Sequence, residues 1–210
     1  DVNREIGALM TTGMRFVEEC DKRNVKPFFM GSGMHPFFTL SLMRSMVAFT
    51  KDLYYNPDPV ERAIRRMTAD VIASQIPLAR EFKLGTLLIT EERASAYFYP
   101  PRVFERFWWP YTKQIVSAFW SEGIVTIFHL DQYWDKNIRY LRELPRGSFI
   151  LELDSTTDIF AAKDVLRGHA CLHGDVPAAL LSLGEPDEVR DYCRRLISRV
   201  GDDGGFILGS

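Results

Sequence analysis

Ile124-Val125-Thr126-Ile127-Phe128-His129-Leu130-Asp131 decides the fold: an apolar run of strand length that ends on polar residues able to carry chemistry. Phe149-Ile150-Leu151-Glu152-Leu153-Asp154 repeats the design. So do Thr86-Leu87-Leu88-Ile89-Thr90 with Glu91-Glu92 behind it and His169-Ala170-Cys171-Leu172 followed by His173-Gly174-Asp175. Pro27-Phe28-Phe29-Met30 and Phe206-Ile207-Leu208 complete six runs. Near-continuous apolar runs of this length suit strands packed on both faces.

Helical periodicity fills the gaps between runs. From about Pro59 to Phe82, Val60, Ile64, Met67, Val71 and Ile72 share a face behind Asn56-Pro57-Asp58-Pro59. From Pro101 to Glu122 an aromatic-rich face runs from Val103 to Phe119, with Pro110 placed to kink it. Asp187 to Val200 places Val189, Tyr192, Cys193, Leu196, Ile197 and Val200 on one stripe, and Asp187 and Glu188 suit the positive end of its dipole. Shorter helices are expected over Asp135–Leu144 and Asp158–Leu166. Six strands alternating with helices predict an α/β protein with a parallel sheet. No strand leads into G-x-G-x-x-G or a Walker loop, which removes support for a nucleotide-binding sheet. Six βα units in 210 residues suit a TIM (β/α)8 barrel lacking its first strand or two and its C-terminal end, because a whole one needs about 250 residues. Residues 1–210 read as one partial barrel domain, and a start without Met and an end just after an apolar run agree with a piece.

Composition bounds the function. With 26 basic and 28 acidic side chains the formal net charge is −2, which supplies no basic footprint for nucleic acid. No apolar run approaches the roughly 18–20 residues of a membrane span. Cys20, Cys171 and Cys193 form no close pair, which points to a reducing, cytoplasmic setting without disulfides.

Active sites of parallel α/β folds lie at the carboxyl ends of the strands, where this chain gathers polar residues. Residues two apart on a strand point the same way, so His129 with Asp131 and Glu152 with Asp154 can converge. One imidazole and two or three carboxylates make a plausible Zn2+ set, although the same residue types also cap helices. His173, Asp175, His35 and Glu91 are further strand-end candidates, read as substrate-binding. Cys171 and Cys193 read as buried structural thiols, Tyr97-Phe98-Tyr99 with Trp108-Trp109 as core or ligand mouth, and Glu91-Glu92 as solvated loop carboxylates.

Several segments, in order, resemble the uroporphyrinogen decarboxylase superfamily: Pro36-Phe37-Phe38-Thr39-Leu40, Asp52-Leu53-Tyr54-Tyr55-Asn56-Pro57, Pro101-Arg102-Val103-Phe104-Glu105-Arg106-Phe107-Trp108-Trp109-Pro110-Tyr111, Leu172-His173-Gly174-Asp175-Val176-Pro177, Gly184-Glu185-Pro186-Asp187-Glu188-Val189 and Gly204-Gly205-Phe206-Ile207-Leu208. The resemblance spans about Gly33 to Ser210 and implies the same barrel. The superfamily joins the haem-pathway decarboxylase to corrinoid-dependent methyltransferases. Met43 stands where the decarboxylase has its Tyr and Ala94, beside Ser95, where it has its Ser; its late His falls at or past Ser210. The methyltransferase branch holds Zn2+ with a strand-end His-x-Cys and a later Cys; His129-Leu130-Asp131 stands at the first of these with Asp replacing Cys. The resemblance therefore implies a zinc-dependent methyltransferase that works with a separate corrinoid (cobalamin) protein. Its small substrate is of methoxy-aromatic, methylamine or thiol type. His129 and Asp131 are the implied ligands, with Glu152 or Asp154 as a third. An oxygen ligand in place of a thiolate leaves the metal more electrophilic, which suits an oxygen-bound methyl donor. The alternatives are a true uroporphyrinogen decarboxylase of porphyrin biosynthesis and a barrel that only binds a small molecule.

Overall fold

Apolar runs flanked by helix-capping residues fold here as expected, into βα units. The computed structural model describes residues 2–25 and 31–210. In chain order the elements are α1 (Val2–Lys22), β1 (Ser32–Met34), α2 (Pro36–Met43), α3 (Met46–Tyr55), α4 (Pro57–Glu81), β2 (Thr86–Glu91), α5 (Pro101–Phe107), α6 (Trp109–Ser121) and β3 (Val125–Leu130). A 3-10 turn (Ile138–Glu143) precedes β4 (Phe149–Leu153), followed by α7 (Ile159–Leu166), β5 (Cys171–Asp175), α8 (Ala178–Leu183), α9 (Pro186–Arg199) and β6 (Phe206–Gly209). The strands form one sheet in sequence order, and every neighbouring pair is parallel. This is the strand order of consecutive units in a (β/α)8 barrel. Among the described residues no helix is long and apolar enough to cross a membrane.

Several boundaries differ from the sequence reading for local reasons. The run Pro27-Phe28-Phe29-Met30 lies outside the described residues; the first described strand is Ser32–Met34. The long helix expected to kink at Pro110 is two helices meeting at Trp108, with Pro110 in the first turn of α6, where a missing N–H costs nothing. The helix expected over Asp135–Leu144 shortens to the 3-10 turn. β5 starts later than its apolar run and continues through His173 to Asp175, because the ladders to β4 and β6 accept polar residues as readily as apolar ones. α7 is capped by Asp158, whose Oδ1 accepts from Phe160 N (2.9 Å) and Ala161 N (3.2 Å), and α9 by the reciprocal Glu185/Glu188 pair.

The core lies between the sheet and its helices. Trp108 and Phe119 are wholly buried, Trp108 stacks on Phe104 (ring centres 5.0 Å apart), and Phe128 of β3 approaches Trp108 from the sheet (6.2 Å). That contact identifies the helix side of β3. The other side of the sheet carries the site.

Candidate functional site

Alternation on each strand and parallel register together fix which side chains share the open face. On β3, His129 faces away from Phe128; the ladders then set Thr90, His129, Glu152, His173 and Ile207 side by side across five strands. Three adjacent members of that row are ionisable. Glu152 bridges the other two: its Oε2 lies 3.3 Å from His129 Nδ1 and its Oε1 lies 3.6 Å from His173 Nδ1. On the far side of the ring, His129 Nε2 lies 3.3 Å from Oδ1 of Asp131, just beyond the end of β3. The order is therefore Asp131–His129–Glu152–His173.

The electrostatics follow from these contacts. Glu152 is half-buried, which pushes its pKa up, but the two imidazoles outweigh burial and hold it down at about 2. His129 is raised, first by the Glu152 carboxylate and then by the Asp131 charge, against partial burial. Asp131 is pushed up by burial and by Asp154 and Glu152, with His129 opposing. The row is a charged, semi-accessible strip; the His129 side chain keeps 36% of its surface exposed.

A metal can be tested against this geometry. Nitrogen and oxygen ligands about 2.0–2.1 Å from a tetrahedral zinc stand roughly 3.3 Å apart. His129 Nε2 and Asp131 Oδ1 have that separation. Glu152 sits at Nδ1 instead, where a carboxylate orients a ligating imidazole rather than ligating itself. Among the described residues no three His, Cys, Asp or Glu side chains already converge as a metal cluster. The residues present thus offer two neighbouring donors and an orienting carboxylate.

The remaining predicted site residues fall elsewhere. Asp154 stitches loops: Oδ2 accepts from Gln132 N and Thr156 Oγ1, and Oδ1 from Thr156 N, each at 3.0 Å. Thr157 completes the stitch by donating to Gln132 O (2.9 Å) and accepting from Trp134 N (2.9 Å), so Asp131 is held by its neighbours' backbone. Asp175 ends β5; it is buried and raised to about 6 by that burial, although the Tyr192 hydroxyl of α9 donates to it at 3.1 Å. His35 and Glu91 are wholly buried on the helix side, away from the row. Glu91 accepts from Arg93 N (2.7 Å), Ala94 N (3.1 Å) and Trp108 Nε1 (2.9 Å). The expectation of a solvated loop carboxylate is corrected: β2 runs on to Glu91, and strand alternation turns that residue inward beside Leu87 and Ile89. Trp108 and Trp109 are core, while Tyr97 stays exposed. Tyr192 and Thr157 were missed by sequence reasoning; Tyr192 was legible only as part of an apolar helix stripe, and Thr157 carried no local signal. Gly209 was also missed. A Cβ there would stand 2.4 Å from His173 Nε2, so the glycine makes room for the imidazole.

Comparison with known proteins agrees with the fold. No curated protein matches the chain. Among solved structures, a methyltransferase from Methanosarcina mazei superposes with a TM-score of 0.69 at 19% identity, over 87% of this chain and 52% of that one. The chain thus spans about half the length of that neighbour. The family model for uroporphyrinogen decarboxylase (URO-D) matches residues 21–210, which contain every strand described above and the whole His129 row, and the chain belongs to that family.

Proposed function

We propose that the chain forms part of a zinc-dependent methyltransferase that moves a methyl group between a small substrate and a corrinoid protein. The observation that carries this reading is His129 Nε2 beside Asp131 Oδ1 with Glu152 at Nδ1, a ligand edge with its orienting carboxylate at the strand ends. When bound, zinc supplies Lewis acidity toward a methyl-bearing oxygen or an acceptor thiolate. The chain's own residues do the rest. The Glu152 carboxylate draws Nδ1 of His129 by charge at 3.3 Å, which leaves Nε2 facing Asp131. The Asp154–Thr157 stitch holds the loop that carries Asp131. His173, next in the row on the other oxygen of Glu152, serves as a contact for the substrate. A methoxy-aromatic donor suits the carboxylate-for-thiolate exchange at Asp131, with methylamine and thiol substrates as the other classes. We place the protein in the cytoplasm on its odd number of cysteines, which form no close pair along the chain.

A decarboxylase acting on a polycarboxylate needs free arginines near the row. Arg93 is instead spent on Ser41 O (3.1 Å) and the Phe38 ring, and Arg102 on the Tyr54 ring. The test is elemental analysis of the purified protein together with methyl transfer to cob(I)alamin, followed by visible absorbance. Stoichiometric zinc lost in His129→Ala, and methylcobalamin formed only by the zinc-bearing protein, are expected. Zinc retained in full by His129→Ala places the metal elsewhere and overturns the reading.

A further inference from the structure

The acidic pair Glu91-Glu92 divides at the end of β2. Glu91 is spent on the helix side, on the amides of Arg93 and Ala94 and on Trp108 Nε1. Successive residues of an extended chain turn opposite ways, so Glu92 lies toward the open face, where its charge acts on His129. One step past the last ladder pair, Glu91 with Leu130, it stands level with Asp131 across a strand spacing of roughly 4.8 Å. Glu92 is half-buried, yet among the described residues it accepts no hydrogen bond and joins no ion pair. A partly desolvated carboxylate left in that state is costly, and a donor on a ligand relieves the cost.

The surroundings decide what such a ligand can be. His129 is held between Glu152 and Asp131, and His173 lies on the other oxygen of Glu152. Arg93, next to Glu92 in the chain, is engaged by Ser41 O and the Phe38 ring. On the Asp131 side, Asp154 and Glu152 add further negative charge. An anionic group entering here meets Glu92, Asp131 and Glu152 and finds no free guanidinium. A hydrogen-bond donor finds an unused acceptor. The carboxyl ends of barrel strands are the face that substrate enters, so a substrate at the row meets Glu92.

We propose that Glu92 is a specificity-determining residue of the methyl-donor site. Its carboxylate accepts a hydrogen bond from the substrate, from a phenolic hydroxyl or a protonated amine, so that donor-bearing substrates are taken and carboxylate-bearing ones refused. This rests on the methyltransferase reading of the row. Glu92 binds substrate and is not a metal ligand. A charge-assisted bond of this kind is about twice as strong as a neutral one, which makes the carboxylate worth more than an amide in its place.

Four probes test it by calorimetry and by NMR of the His129 ring: 2-methoxyphenol and dimethylammonium, which carry a donor, and anisole and 3-methoxybenzoate, which do not offer one. At least one donor-bearing probe is expected to saturate and to shift the His129 ring, and which of them does so tells the phenol from the ammonium. Anisole and 3-methoxybenzoate are expected to bind at least about tenfold more weakly. Glu92→Gln, which keeps the shape and removes the charge, is expected to weaken the donor-bearing probe by about tenfold, to leave anisole as it was and to leave zinc content unchanged. Saturation by neither donor-bearing probe, equal binding of anisole or 3-methoxybenzoate, undiminished binding to Glu92→Gln, or loss of zinc in that variant would each overturn the proposal. Methylcobalamin formed equally fast from anisole and 2-methoxyphenol also overturns it and leaves the methyltransferase reading standing. Glu92-dependent binding with no methyl transfer from any donor overturns that reading alone.

Discussion

Two histidine–glutamate contacts at the strand ends look alike in sequence and behave oppositely. In one, His35 Nδ1 lies 3.5 Å from Glu91 Oε2; in the other, His129 Nδ1 lies 3.3 Å from Glu152 Oε2. The first pair is sealed on the helix side of the sheet. Burial pushes His35 down to about 3 and Glu91 up to about 8, so both are neutral near pH 6. The hydrogen bonds agree: Phe37 N donates to His35 Nδ1, leaving that nitrogen an acceptor, and Nε2 meets Thr112 Oγ1. The second pair faces the open side. There His129 is raised and Glu152 held down, so the same two residue types form an ion pair. Desolvation dominates where water is excluded; mutual attraction dominates where the charges stay partly hydrated. The dry pair holds the fold together, and the wet pair is available for binding.

The strongest way to break this contrast is to remove each carboxylate in turn. Glu91→Ala strands three N–H donors in a dry site, and a loss of roughly 3 kcal/mol or more is expected in denaturant unfolding. Glu152→Ala leaves partly hydrated groups and is expected to cost about 1 kcal/mol or less. Equal losses would erase the distinction. Binding should show the reverse order. Glu152→Gln is expected to weaken zinc by roughly 10–100-fold in chelator competition, as removal of an orienting partner does. Glu91→Gln should leave zinc affinity as it was.

Stability against pH sharpens the comparison further. Folded Glu91 keeps its proton to about pH 8, whereas the unfolded chain releases it near 4.5, so its contribution is whole below 4.5 and is lost as pH rises through 8. His35 works the other way: folded it stays neutral down to about pH 3, against 6.5 unfolded, so its contribution is whole above 6.5 and is lost as pH falls toward 3. The pair therefore favours stability at mildly acidic pH. Glu91→Gln should flatten the alkaline limb between pH 6 and 8 in unfolding experiments and leave the acid limb in place. An unchanged alkaline limb would contradict the neutral assignment. The most confined effect is expected at Gly209→Ala, where the new Cβ displaces the His173 ring and little else. Stability should fall by only about 1 kcal/mol, the low end for overpacking, because the colliding atoms belong to a side chain and not to backbone. The His173 ring resonances should nevertheless move, and those of His35 should not.

Much of the fold was legible along the chain because its signals are local. Val125–Leu130 and Phe149–Leu153 read as strands from apolar runs, and α9 read as a helix from its stripe and acidic first turn. The two-residue alternation of a strand is enough to put His129 and Asp131 on a common side. The row itself was not legible. That His129, Glu152 and His173 are neighbours depends on the register of the β3–β4 and β4–β5 ladders, which no single strand encodes. Asp154 shows the same limit: its spacing from Glu152 suggested a shared ligand, whereas amides of its own loop and of the loop after β3 claimed its oxygens.

The sequence by itself determined the order of strands and helices, the parallel sheet and the polar residues at its carboxyl ends, because hydrophobic periodicity and helix caps act over a few residues. Only the tertiary structure decided that Glu91 is sealed and neutral while Glu152 is partly exposed and charged. Both residues sit at or near strand ends; the difference is that α5 and α6 bring Trp108 over one face of the sheet and leave the other face to the row. Desolvation is set by what packs above a side chain, and that is a property of the assembled fold.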